Sequence, residues 1–230
     1  MQHQPNLLRL VNMKNRILFA FVIGTLITHS CSGILGSGKA VEETRTVSGI
    51  YKGISVERAI RVHLSDNVSD IHVRADELFM PFLDIYINEQ DILVIKYSKN
   101  MIGYSSVTTE VTVPCHPLLT TFEASGASRI DATCDLALNT ASFEASGASL
   151  FSFTGSAVDC EIILSGASRF EGFDFTAVVL DCELSGASRL DITCTGSMKV
   201  EASGASKVNY KGDCIITSID TSGGSEVNKK

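Results

Sequence analysis

Ser125-Gly126-Ala127-Ser128 recurs at Ser146–Ser149, Ser165–Ser168, Ser185–Ser188 and Ser203–Ser206, then as Ser222-Gly223-Gly224-Ser225, at intervals of 21, 19, 20, 18 and 19 residues. A flexible Gly/Ser linker does not account for this, because apolar residues alternate with polar ones between the tetrapeptides. Phe122 and Ala124 precede the first and Ile130 and Ala132 follow it; Val200 and Ala202 precede the fifth and Val208 and Tyr210 follow it. Period-2 alternation broken by a small-residue corner every ~20 residues predicts a β-solenoid, one coil per repeat. A single coil cannot bury its inward side chains, so neighbours stacked at ~4.8 Å must complete both core and hydrogen bonds. At each corner Gly permits the bend, Ala is expected to point inward where space is least, and the serine hydroxyls are expected to satisfy corner backbone groups.

Intervals that vary from 18 to 21 do not keep the strict hexapeptide rhythm of a left-handed β-helix. The fold class expected is therefore all-β, a right-handed parallel β-helix with about six regular coils of 18–21 residues over 116–230. Residues 46–115 form a less regular β-rich half. Strands are predicted at Ile54–Val56, Ile60–Leu64, Ile71–Val73, Leu83–Ile87, Leu93–Ile95 and Val107–Val113, with a turn at Asn88–Asp91. Ala75–Met80, ended by Pro81, has room for one helical turn. An open solenoid end exposes unpaired strand edges, and this half is expected to cover the N-terminal one.

The first 30 residues carry Arg9, Lys14 and Arg16 and no acid, whereas the whole chain has a net charge of −7. Met13-Lys14-Asn15-Arg16, the apolar run Ile17–Ile27 and the small, polar Thr28–Gly33 read as a signal peptide over 1–30, with Met13 as the start. The apolar run is too short for a membrane span of ~20 residues. Cys31 ends that run behind Leu26-Ile27 and Ser30, the context of a lipidated cysteine, which makes 31–45 a lipid-anchored linker. Export as an outer-membrane lipoprotein on the periplasmic or surface face follows, with contact to the membrane through the lipid only. An acidic chain without Trp does not suit nucleic acid as a partner.

Gly53-Ile54-Ser55-Val56, the Ala59–Leu64 strand, Ile71-His72-Val73, Asp91–Ile95 and the Ser-Gly-Ala-Ser coils together resemble the auto-transporter adhesin "head GIN domain" family over about residues 46–225. The resemblance implies a single-chain right-handed β-helix on a secreted or lipid-anchored bacterial protein. It implies no site residue. With Glu226–Lys230 following Ser225, self-export through a translocator barrel is not expected.

Two charge columns flank the corners. Glu123, Glu144, Glu183, Glu201 and Asp220 lie two residues before the first serine, and Arg129, Arg169, Arg189 and Lys207 lie four after it. Stacked like charges repel, so acid and base are expected to pair across the corner, each pair contributing ~0–1 kcal/mol. A sharper reading makes this ridge a site for calcium or an anionic glycan. Cys115/Cys134, Cys160/Cys182 and Cys194/Cys214 lie 19, 22 and 20 residues apart, suiting either disulfides between adjacent coils or an inward ladder of apolar thiols. No Cys-x-x-Cys is present, and no metal or cofactor is expected. His63 and His72 are expected to point outward. The repeats hold no His, so their serines cannot form a Ser-His-Asp triad, and no catalytic residue is assigned. The expected function is a non-enzymatic envelope lipoprotein whose solenoid ridge binds an unidentified ligand, a glycan or an envelope or host protein. The alternatives are a β-helix polysaccharide lyase or hydrolase, and a self-assembling envelope scaffold.

Overall fold

The computed structural model describes residues 34–98 and 103–230. Residues 1–30, expected as a signal peptide, and Cys31 lie outside the described residues. From 121 to 229 the chain winds about five solenoid turns, each turn pairing in parallel with the next. One side of each turn precedes the Ser-Gly corner and stacks Thr121–Ala124, Ser142–Ala145, Glu161–Leu164, Asp181–Leu184 and Lys199–Ala202 in exact register with Ser218–Thr221. A second side follows the corner, from Arg129–Ala132 through Leu150–Ser152, Arg169, Arg189 and Lys207 to Glu226–Lys229. The third stacks Leu138 on Ala157, Ala177 and Cys194.

The regular repeats extend into a less regular region without a break in pairing. Gly53–Val56 pairs in parallel with Thr121–Ala124 on one edge and with Ile92–Ile95 on the other. Arg61–Leu64 likewise lies between Arg129–Ala132 and Glu110–Val113. The corner joining Gly53–Val56 to Arg61–Ser65 is Glu57-Arg58-Ala59-Ile60, where Arg58 and Ala59 take the positive φ that Gly takes elsewhere. Beyond these strands the sheet turns antiparallel. Leu83–Ile87 pairs with Ile92–Tyr97, Ile71–Asp76 with Glu110–Pro114, and Ala40–Arg45 closes that edge against Ile71–Asp76. The helical turn falls at Met80–Phe82 rather than 75–80, because Ile71–Asp76 continues as strand and Pro81 sits where a first turn tolerates it. The buried Asp76 carboxylate accepts hydrogen bonds from Ser37 N, Gly38 N, Leu78 N and Ser105 Oγ. Burial pushes its pKa up, but these donors outweigh burial and hold it well below the usual carboxylate range.

The core is a set of vertical stacks. Ile54, Phe122, Phe143, Ile162, Cys182 and Val200 form one; Val62, Ile130, Phe151, Phe170, Leu190 and Val208 face it from the opposite side, all buried. Six phenylalanines cluster where the stacks meet. Phe143 lies parallel to Phe122 at 5.0 Å and edge-on to Phe170 at 4.9 Å, both favoured geometries for paired rings.

At the corners the expectation for Ala does not hold. Ala127, Ala148 and Ala167 are exposed, and the inward position belongs to the second serine: Ser128, Ser149, Ser168, Ser188 and Ser206 are buried. Gly in the left-handed region turns the chain so that the next residue faces out and the one after faces in. At four of these five corners, all but that of Ser168, the inward serine donates its hydroxyl to the carbonyl of the first serine, as from Ser149 to Ser146 at 2.9 Å and Ser188 to Ser185 at 2.8 Å. An inward alanine would leave that carbonyl without this donor.

The cysteines divide between the two readings. Cys115 and Cys134 form a disulfide between neighbouring coils. Cys160, Cys182 and Cys194 are buried free thiols and Cys214 is half-buried. Cys160 stacks between Ala141 and Leu180, and Cys182 between Ile162 and Val200, so the pair 22 residues apart in sequence is out of line by two residues. Burial pushes the Cys182 and Cys194 thiols up to about 12, which keeps them protonated and inert.

Candidate binding face

The Ser-Gly edge separates two outward sheet faces of opposite character. Before the corner, Glu123 stands beside Glu144, then Ile163, Glu183, Glu201 and Asp220 in one row. After it, Arg61 leads a row through Arg129, Leu150, Arg169, Arg189 and Lys207. Both columns exist as the spacing requires, but they do not pair with each other. Among the described residues no ion pair crosses the corner, because side chains on the two faces diverge from the edge. The arginines find partners on their own face instead.

Each basic residue is followed two positions later by a polar residue, which the strand's period places on the same face. Arg129 donates Nε to Asp131 at 3.1 Å, and Arg189 donates Nε to Asp191 at 2.9 Å. The carboxylates are themselves held. His63 Nδ1 lies 2.6 Å from Asp131, and Asn209 donates Nδ2 to Asp191 at 2.7 Å. Asp191 is only 10% exposed while Arg189 is half exposed, so the brace is sheltered and the guanidinium is not. The brace engages Nε, and the terminal nitrogens of these two guanidinium groups have no hydrogen bond among the described residues. The hydrogen bond and charge of Asp191 also raise the Arg189 pKa further above its ordinary value. Arg61 and Arg169 have no ion-pair partner among the described residues. Lys207 pairs with Glu226 at 3.3 Å on the next strand, closing one end of the row. At the other end Glu110, beside Arg61, pairs with Arg74 at 3.4 Å.

The face continues across ten strands, from Glu42 opposite Arg74 to Glu226 opposite Lys207. Around Glu110 it dips into a shallow groove of about 370 Å³, lined by Glu42, Thr44, His63, His72, Arg74 and Thr112. His63 and His72 both point outward here, on either side of Thr112. Strand alternation carries the half-buried Phe173 to the same side two residues after Glu171, with Lys211 Nζ 4.4 Å above its ring. On the acidic face Lys199 bridges Asp181 and Glu201, at 3.5 and 2.8 Å. Glu123, Glu144, Glu183 and Asp220 have no ion pair among the described residues, and no three His, Cys, Asp or Glu there converge to hold a metal. Of the bracing residues, sequence reasoning names His63 alone and misses Asp131, Asp191 and Asn209, as it misses Arg61; yet Arg129-x-Asp131, Arg169-x-Glu171 and Arg189-x-Asp191 carry the signal openly.

The solenoid with its mixed N-terminal sheet is shared with crystal structures of bacterial proteins. One from Bacteroides fragilis, described as a "putative adhesin", superposes with a TM-score of 0.65 at 14% identity, over 86% of this chain and 100% of the other. A second "putative adhesin", from Parabacteroides distasonis, gives 0.55 at 15% identity over 86% and 100%. A third, from Parabacteroides merdae, gives 0.51 at 16% identity over 86% and 99%. At such identities the likeness is one of fold. No curated protein matches the chain. Residues 50–214 match the family model described as "Putative auto-transporter adhesin, head GIN domain", and the chain belongs to that family.

Proposed function

We propose that this protein is a non-catalytic, lipid-anchored component of the bacterial cell envelope that binds an extended ligand on the face after the Ser-Gly corner. The observation that carries the reading is the braced basic row: a parallel-stacked sheet carries regularly spaced basic side chains on one outward face, with the half-buried Asp131 and the buried Asp191 fixing two of them. A row built for stability alone would alternate charge along the stack, since like charges on adjacent strands repel. Such a face offers repeated, shallow contacts suited to a glycan chain or an extended protein surface. Cys31 supplies the anchor; Ala40–Arg45, expected as part of a linker over 31–45, is instead a strand of the domain's sheet. Two measurements test the two halves of the reading. Cys31→Ala is expected to move the protein out of the membrane fraction; retention there contradicts the anchor. The full chain is expected to capture envelope or host-surface glycans saturably without releasing oligosaccharide; release of product contradicts the non-catalytic assignment.

A further inference from the structure

Between Glu110 and Glu226, the post-corner row presents Arg61, Arg129, Arg169, Arg189 and Lys207, interrupted once by Leu150. Six strands at ~4.8 Å make the row roughly 24 Å long. The strand spacing is about the length of one sugar residue in an extended glycan, so a chain laid along the solenoid axis advances one residue per coil. We propose that this row is the binding site for a linear acidic glycan bearing one carboxylate per sugar residue, oriented parallel to the solenoid axis and about five or six residues long where it is bound. The proposal deepens the function above and rests on the reading of this face as a binding face.

Three features select this ligand class. Guanidinium groups whose Nε is already held present their two terminal nitrogens as a planar fork, which matches a carboxylate bidentately. The arrangement is pre-organised, because Asp131 and Asp191 are fixed by His63 and Asn209 before any ligand arrives. The two unpaired cations, Arg61 and Arg169, lie one on each side of Leu150, so a ligand that neutralises both must span the interruption. A compact anion such as phosphate could meet only one or two of these groups. The acidic residues at either end, Glu110 and Glu226, are each paired with a cation, Arg74 and Lys207, and bound the stretch that holds the unpaired arginines.

Calorimetric titration of the full chain with galacturonic acid oligomers of two to eight residues tests the site. Affinity is expected to rise with length to about five or six residues and then level, and to fall as salt is added. Arg169→Ala and Arg61→Ala are each expected to weaken the hexamer about tenfold, with unchanged melting temperature. Glu183→Lys, on the acidic face, is expected to leave binding unchanged. Neutral glucan oligomers are expected not to bind. Absence of length dependence, equal binding by Arg169→Ala, or equal binding of single-stranded DNA or polyphosphate overturns the glycan assignment. If galacturonic oligomers fail while Arg169→Ala still abolishes capture of envelope or host material, the ligand class falls and the binding-face reading stands. If capture too is indifferent to Arg169, both fall.

Discussion

Gly166 has φ +72°, and a Cβ built on it comes within 2.5 Å of the Gly147 carbonyl oxygen one coil away. Gly166→Ala therefore meets both the left-handed penalty and a backbone clash, and should cost at least ~2 kcal/mol. Ala167, its neighbour, is exposed, and Ala167→Leu should change stability by less than ~0.5 kcal/mol. Denaturant midpoints of the two variants check this, and equal losses would contradict the outward placement of the corner alanine. The inward serines offer a second contrast. Ser188 donates to the Ser185 carbonyl, whereas the buried Ser168 hydroxyl has no partner. Ser188→Ala should cost ~1–2 kcal/mol and Ser168→Ala close to nothing. At this scale the sequence showed that the corners needed small residues but not which one turned inward. That depends on the φ of the preceding Gly, and one residue of error reverses the face.

Each strand was legible where period-2 apolar spacing recurred, as in Phe143 and Ala145 or Val208 and Tyr210, because burial on one face imposes that period. The partners of strands 53–97 were not legible. Gly53–Val56 pairs with Ile92–Ile95 across a long excursion, and no repeat marks the connection. Its corner, Glu57–Ile60, lacks the Ser-Gly signature altogether, which hid Arg61 from the basic column. Cysteine spacing carried less information than strand register: 19 residues separate Cys115 from Cys134, which bond, and the corner intervals shift Cys160 and Cys182 apart. Thiol labelling checks the result. In the native protein at neutral pH, an alkylating reagent should modify Cys214 rapidly and leave Cys160, Cys182 and Cys194 untouched, while after denaturation all four react. Rapid native labelling of Cys182 would mean that the inner stack is open. Within that stack, Phe143→Ala should cost ~3–5 kcal/mol, read from thermal or denaturant melts, because its ring touches phenylalanines from several coils.

The whole molecule separates charge by face. The corner edge puts the carboxylate row on one side and the basic row on the other, so the two rows do not pair with each other. On the basic face Asp131, Asp191 and Glu226 offset Arg129, Arg189 and Lys207, and Arg61 and Arg169 have no ion pair among the described residues. Sequence spacing revealed both columns but suggested mutual pairing, because a one-dimensional reading cannot show that the chain bends sharply between them. The side-chain hydrogen bonds that brace the basic row come from strands 61–65, 129–132, 189–193 and 207–211, and only stacking brings these together. Charge reversal on each face in turn distinguishes a binding surface from mere construction. Arg169→Glu and Glu183→Lys should both melt within a few degrees of the unaltered protein, since both side chains are exposed and have no ion pair among the described residues. In a capture assay with envelope and host-surface glycans, Arg169→Glu should lose binding while Glu183→Lys retains it. Equal capture by the two variants, with both still folded, would contradict the assignment of the post-corner face as the binding surface.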